Sequence, residues 1–254
     1  MIGHYTTGLR LSVPVSGTST LRGPDSRTTG SGNTFLPDSP VGPYMFEDRH
    51  EAGERLADLL ADEGVDPDVV LAIPRGALPL GRVVADRLAA PLDVVVASKI
   101  GAPQNPELAI GAAASDGSAW LNDELIGRLG VSSEYVEDQR AVEADAAREK
   151  LERYRGAVEL PDLEGKTVVV VDDGVATGAT MRACLRQVRG AGAARVVVGV
   201  PVGAPDSLAE LEGEADAVYA VERPAGFNAV GAYYRAFPQV TDAEAVEYLA
   251  GEGA

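Results

Sequence analysis

Five times along the chain a short run rich in β-branched residues is closed off by a loop or a helical pattern. The runs are "DVVLAIP" (68–74), "LDVVVASK" (92–99), "KTVVVVDD" (166–173), "RVVVGVPV" (195–202) and "DAVYAVE" (216–222). Their apolar residues are continuous rather than alternating, as in strands covered on both faces. Helical periodicity fills the spaces between, at 51–63, 80–90, 133–155, 179–190 and 206–212. This alternation predicts an α/β fold, a mostly parallel Rossmann-like sheet with helices on both faces. "LAIGAAA" (108–114) reads as a further strand, and "RGALP" and "IGAPQNPE" (100–107) as loops. Ligands of such sheets bind beyond the carboxyl ends of the strands.

Residues 1–43 are dominated by Ser, Thr, Gly and Pro and show no period of 2 or 3.6. They predict a disordered N-terminal extension before a domain spanning 44–254, although an initiator at Met45 accounts for them equally well. No apolar run approaches the ~20 residues that cross a bilayer, and no basic-then-apolar leader opens the chain. The expectation is a soluble cytoplasmic protein with no membrane partner. Cys184 is the single cysteine, which rules out an internal disulfide, and with His4 and His50 it makes a poor zinc set. A net charge of −17 opposes a nucleic-acid partner. Three of the 22 basic residues are lysines, Lys99, Lys150 and Lys166. An acidic, lysine-poor surface suits a halophilic cytoplasm, and a GC-rich genome explains it too. So few lysines make each one worth locating.

The richest stretch is "VVVVDDGVATGATMRACLRQVRGAG" (168–192). Four valines form a central strand that delivers Asp172 and Asp173 to its carboxyl end. Gly174, Val175, Ala176, Thr177, Gly178, Ala179 and Thr180 then lead into a helix. A helix N-terminus presents unpaired N–H groups and partial positive charge to an anion. Gly174 and Gly178 allow close backbone approach, and the two threonines add hydroxyl donors. The acids would repel that anion, but they can accept from a vicinal diol and attract hydrated Mg²⁺. A phosphate site beside a diol site describes a ribose 5-phosphate. The stretch lacks the Gly-Lys-Ser/Thr of a Walker A loop and the glycine spacing of a dinucleotide fingerprint.

At these residues the sequence resembles the type I phosphoribosyltransferase family. The resemblance covers Val168 to Thr180, and "PRGALP", "KIGAPQNPELAIGA" and "AVGAYYRAFPQV" extend it. It implies the family's fold, with a small hood beside the sheet, and use of phosphoribosyl pyrophosphate (PRPP) with Mg²⁺ held by Asp172 and Asp173. It also implies diphosphate contacts from the amides of Arg75, Gly76 and Ala77, through an unusual peptide geometry, and from Lys99. Asp172, Asp173 and Lys99 are thus the catalytic candidates, and the stretch 101–107 is a candidate lid hinged at Gly101. Phe227, Tyr233 and Tyr234 are candidates for stacking on a nucleobase-like acceptor. Ala176 stands where 6-oxopurine members carry an acid, as in the adenine and orotate branches. The expected activity is Mg²⁺-dependent transfer of the 5-phosphoribosyl group to a nitrogenous base, releasing diphosphate. A PRPP-sensing regulator without turnover and a hydrolytic use of the fold remain open. So does a homodimer, with helix 133–155 serving as either interface or solvent face.

Overall fold

The computed structural model describes residues 44–251, so the expected N-terminal extension lies outside the described residues. Helix α1 (Arg49–Asp62) leads into β1 (Val69–Ala72), α2 (Ala77–Arg87) and β2 (Leu92–Val94). An antiparallel unit follows, β3 (Ala97–Ala102), β4 (Asn105–Ala114) and β5 (Ala119–Leu121), with α3 (Asp123–Leu129) and α4 (Ser133–Arg155) after it. The chain then returns through β6 (Thr167–Val171), α5 (Ala179–Gly190), β7 (Arg195–Val202), α6 (Pro205–Leu211) and β8 (Ala217–Glu222). A 3₁₀ turn, Val230–Tyr233, and α7 (Asp242–Ala250) close the described chain.

The main sheet is five parallel strands in the order β2-β1-β6-β7-β8. The valines of β6 divide between its faces, because successive side chains of a strand point opposite ways. Val169 and Val171 join Leu56, Leu60, Leu80 and Val84 under α1 and α2. Val168 and Val170 join Met181, Leu185, Val188 and Leu208 under α5 and α6. All four are fully buried, which explains why this strand reads as continuous valine. The expected α/β class, parallel sheet and double helical cover are therefore what the chain adopts.

Two sequence expectations need correcting. The run 92–99 is not one strand: Val95 donates to Ala72 of the main sheet (3.1 Å), whereas Val96 accepts from Ser115 (3.2 Å). The backbone thus changes partners between these two valines and enters a second sheet, β3-β4-β5. The stretch 101–107 is likewise a β-hairpin with register shifts at Gly101, not an open loop. A side chain at Gly101 would run into the Pro106 carbonyl, so this glycine serves a close backbone crossing rather than a hinge.

Candidate active site

The carboxyl ends of β1 and β6 open into a cavity of about 520 Å³. Its lining includes Pro74 and Gly76 after β1, the whole stretch Asp172–Met181 after β6, Lys99 on β3, and Val230. The structure therefore brings together the acid pair, the small-residue loop and the strand-end lysine, which lie far apart in sequence.

Two helices point their N-termini at this cavity, and neither is capped by a side chain. In α1, α3, α4 and α7 the side chains of Asp48, Asn122, Ser132 and Thr241 accept from first-turn amides. Gly76 before α2 and Gly178 before α5 cannot do so, having no side chain. Gly178 adopts φ 73°, a left-handed conformation that glycine takes without cost. Among the described residues, the N–H groups of Arg75, Gly76, Ala176, Thr177 and Gly178 find no protein acceptor. The loop after β6 is nevertheless fixed in place. Val175 donates to Val202 (2.9 Å), Ala204 donates back to Val175 (2.9 Å), and Ser207 Oγ donates to the Ala176 carbonyl (2.6 Å). The result is a rigid cup of free donors with little side-chain bulk.

The Pro74–Arg75 peptide is cis. The Arg75 side chain turns away from the cavity and pairs with Asp242 at 3.1 Å, alongside Arg153 and the Tyr154 hydroxyl. Burial, and next the hydrogen bond to Asp242, push the Tyr154 phenol up to about 12. Arg75 thus keeps its guanidinium out of the cavity, and the Ala77 amide, expected to face a diphosphate, instead donates to the Ile73 carbonyl (3.4 Å).

Asp173 is held by a residue that no sequence pattern singles out. Arg49 Nε and Nη2 donate to its Oδ2 at 3.0 and 2.9 Å. The guanidinium lies 3.7 Å over the Phe237 ring and donates to the Pro238 carbonyl at 2.7 Å. The Asp173 carbonyl accepts from the Tyr234 hydroxyl at 2.6 Å. Gly76 leaves room for this carboxylate, because a side chain there would collide with Oδ2. Burial, followed by the charge of Asp173, pushes the Asp172 carboxyl well above its usual range, against the pull of Lys99 and Arg49. Burial raises Asp173 as well, with Arg49 as the main opposing influence.

The three aromatic candidates for base stacking do not line the cavity. Tyr234 is buried among Phe46, Phe237 and Arg49, and burial raises its phenol strongly. Phe227 and Tyr233 pack on each other with ring centroids 5.3 Å apart. Val230 is what this segment contributes, and a side chain on Gly174 would meet its Cγ1 at 2.6 Å. From the opposite side α4 contributes Glu143 and Lys150. Sequence reasoning passed over both, and the scarcity of lysine was the one signal that pointed to Lys150.

Comparison with known protein families matches residues 46–232 to the Phosphoribosyl transferase domain. This chain is a type I phosphoribosyltransferase family member. A protein of Mycobacterium tuberculosis, provisionally named a phosphoribosyl transferase, is 40% identical over 205 residues, covering 81% of this chain. That alignment covers 46% of the relative, so the chain spans about half the length of the curated protein it matches. The crystal structure of TT1426 from Thermus thermophilus is 43% identical with a TM-score of 0.68, covering 80% of this chain and 97% of that one. Amidophosphoribosyltransferase 2 of the Arabidopsis thaliana chloroplast is 33% identical over 162 residues, 63% of this chain and 22% of its own. The family match ends within the 3₁₀ turn, so α7 and its contact with Arg75 lie beyond it.

Proposed function

We propose that the domain transfers the 5-phosphoribosyl group of PRPP to a nitrogen acceptor and releases diphosphate. One observation carries this reading: two uncapped helix N-termini, those of α2 and α5, open into one cavity with a partly buried acid pair beside them. Two anion cups and a diol acceptor match a sugar bearing phosphate at one end and diphosphate at the other.

In this reading the amides of Ala176 to Gly178, with the hydroxyls of Thr177 and Thr180, hold the 5-phosphate. Asp172 and Asp173 accept from the ribose hydroxyls, and the Arg49 fork fixes the direction in which Asp173 can do so. The Arg75 and Gly76 amides and Lys99 face the diphosphate. Negative charge builds there as the bond to C1 breaks, and pre-positioned donors stabilise it. Fixing the sugar at both ends holds C1 in line for the acceptor.

Among the described residues no group of three or more His, Cys, Asp or Glu could hold a metal by itself. A pair of carboxylates does fit Mg²⁺, which commonly takes one or two protein carboxylates plus substrate phosphate oxygens. Asp172 and Asp173 would hold it, and when bound it supplies charge neutralisation at the leaving diphosphate.

Diphosphate release from PRPP in magnesium buffer, measured against a panel of nitrogenous bases and amines, tests the reading. Release with a single acceptor identifies the substrate. Release without any acceptor indicates hydrolysis, and PRPP binding with no release indicates a sensor. Absence of PRPP binding by calorimetry would remove the proposal.

A further inference from the structure

We infer that Lys150, on the long helix α4, is a second diphosphate-binding cation of this site, acting from the face of β3 opposite to Lys99. The inference rests on the transferase reading above and names a residue which that reading does not use.

The placement follows from strand geometry. Ser98 pairs with Ala113, which packs toward α4, whereas Lys99 pairs with Ala112, which packs toward α5. Neighbouring strand residues face opposite ways, so Lys99 approaches the cavity on the α5 side, where its charge acts on Asp172. Helix α4 covers the other face. There the Lys150 ammonium donates to the buried Ser98 hydroxyl at 3.0 Å, and Ser98, Lys99 and Lys150 all line the same cavity. Two ammonium groups therefore enter it from the two sides of one strand.

The pairing pattern of α4 separates Lys150 from its neighbours. All four arginines of this helix, Arg140, Arg148, Arg153 and Arg155, have a carboxylate within ion-pair distance. Lys150 has only the neutral Ser98 hydroxyl among the described residues. One of its three N–H donors is used, and the other two and the full charge remain for an anion. A diphosphate has two phosphoryl groups, and a cation on each side of β3 gives each group a partner. In the transfer step the bond from C1 to the diphosphate oxygen breaks and its electron pair leaves with that oxygen. The acceptor nitrogen forms the new bond to C1 and releases its proton to water. Lys150 stabilises the departing electron pair.

Calorimetry with PRPP, inorganic diphosphate and ribose 5-phosphate, all in magnesium buffer, tests this on the full chain. Losing a charge-assisted hydrogen bond corresponds to about a 10- to 100-fold weakening. Lys150→Met is expected to weaken PRPP and diphosphate binding by that factor and to leave ribose 5-phosphate unchanged. Lys150→Arg should recover part of the loss, and Ser98→Ala should give a smaller loss of the same selectivity. Unchanged PRPP affinity in Lys150→Met would overturn the inference while leaving the transferase reading intact. Equal weakening of all three ligands would also overturn it, by showing a packing role. A wild-type protein that binds none of the ligands would overturn both readings.

Discussion

The two sides of the cavity are built on different principles. The side formed by the main sheet is made of backbone: free amides at the starts of α2 and α5, glycines at 76, 174 and 178, and two carboxylates whose burial opposes their charge. The side formed by the antiparallel sheet and α4 is made of long, partly exposed side chains, Lys99, Lys150 and Glu143. A backbone surface cannot be tuned residue by residue, but it keeps its shape with no loss of rotamer freedom. A side-chain surface can change its charge with one substitution and must be ordered on binding. In the proposed reaction both anionic ends of the sugar therefore meet fixed backbone donors, and the α4 side adds adjustable charge where the diphosphate departs.

The largest expected effect comes from adding one methyl group to the backbone side. Gly76→Ala places a side chain against Asp173 Oδ2 and forces the acid off its Arg49 fork. Displacements of this kind cost about 100-fold in kcat/KM, and the overpacking about 1–3 kcal/mol in unfolding free energy. Wild-type turnover in Gly76→Ala would show that the acid's position does not matter.

A second test exploits the cost of burying charge on the same side. The folded carboxyl of Asp172 is raised well above its unfolded value. Its stabilising influence is therefore complete below the unfolded pKa and is lost as pH rises through the folded one. Asp172→Asn removes that loss, so the variant should melt above wild type at pH 8. The gap should close as pH falls toward the ordinary carboxylate range, and the variant's PRPP turnover should drop at every pH. A variant that melts lower than wild type at pH 8 would mean the carboxylate is stabilising.

The smallest effect is expected at Arg75. Its guanidinium is engaged with Asp242 at an exposed ion pair, which solvent screens. Arg75→Ala should keep PRPP affinity near the wild-type value, because the side chain that is removed is turned away from the cavity. A loss matching that of Gly76→Ala would mean that the side chain swings inward when the ligand binds.

The same contrast explains what could be read from the sequence. Backbone features leave strong local signals. Four valines, two acids and a loop of small residues can occur together only where a buried strand delivers a backbone cup, and helices 133–155 and 179–190 and strand 195–202 also fall where periodicity put them. Side-chain features depend on partners remote in sequence. Nothing distinguishes Arg49 from the other arginines until Asp173, 124 residues away, is folded onto it. Aromatic composition suggested stacking by Tyr234, yet the ring is consumed by packing against Phe46 and Phe237. The break within "LDVVVASK" was equally hidden, since β-branched residues suit either sheet and only the change of backbone partner at Val95 and Val96 separates them.

The cluster around Arg49 also sets an order of events during synthesis. Phe46 bridges to Tyr234, and Arg49 is clasped by Phe237 and Pro238, so the support for Asp173 is drawn from near both ends of the described chain. A ribosome that has released β6 and its loop has exposed both acids without the clasp that aims them. Ligand competence should therefore arrive late in translation, only after the segment through Pro238 has cleared the exit tunnel.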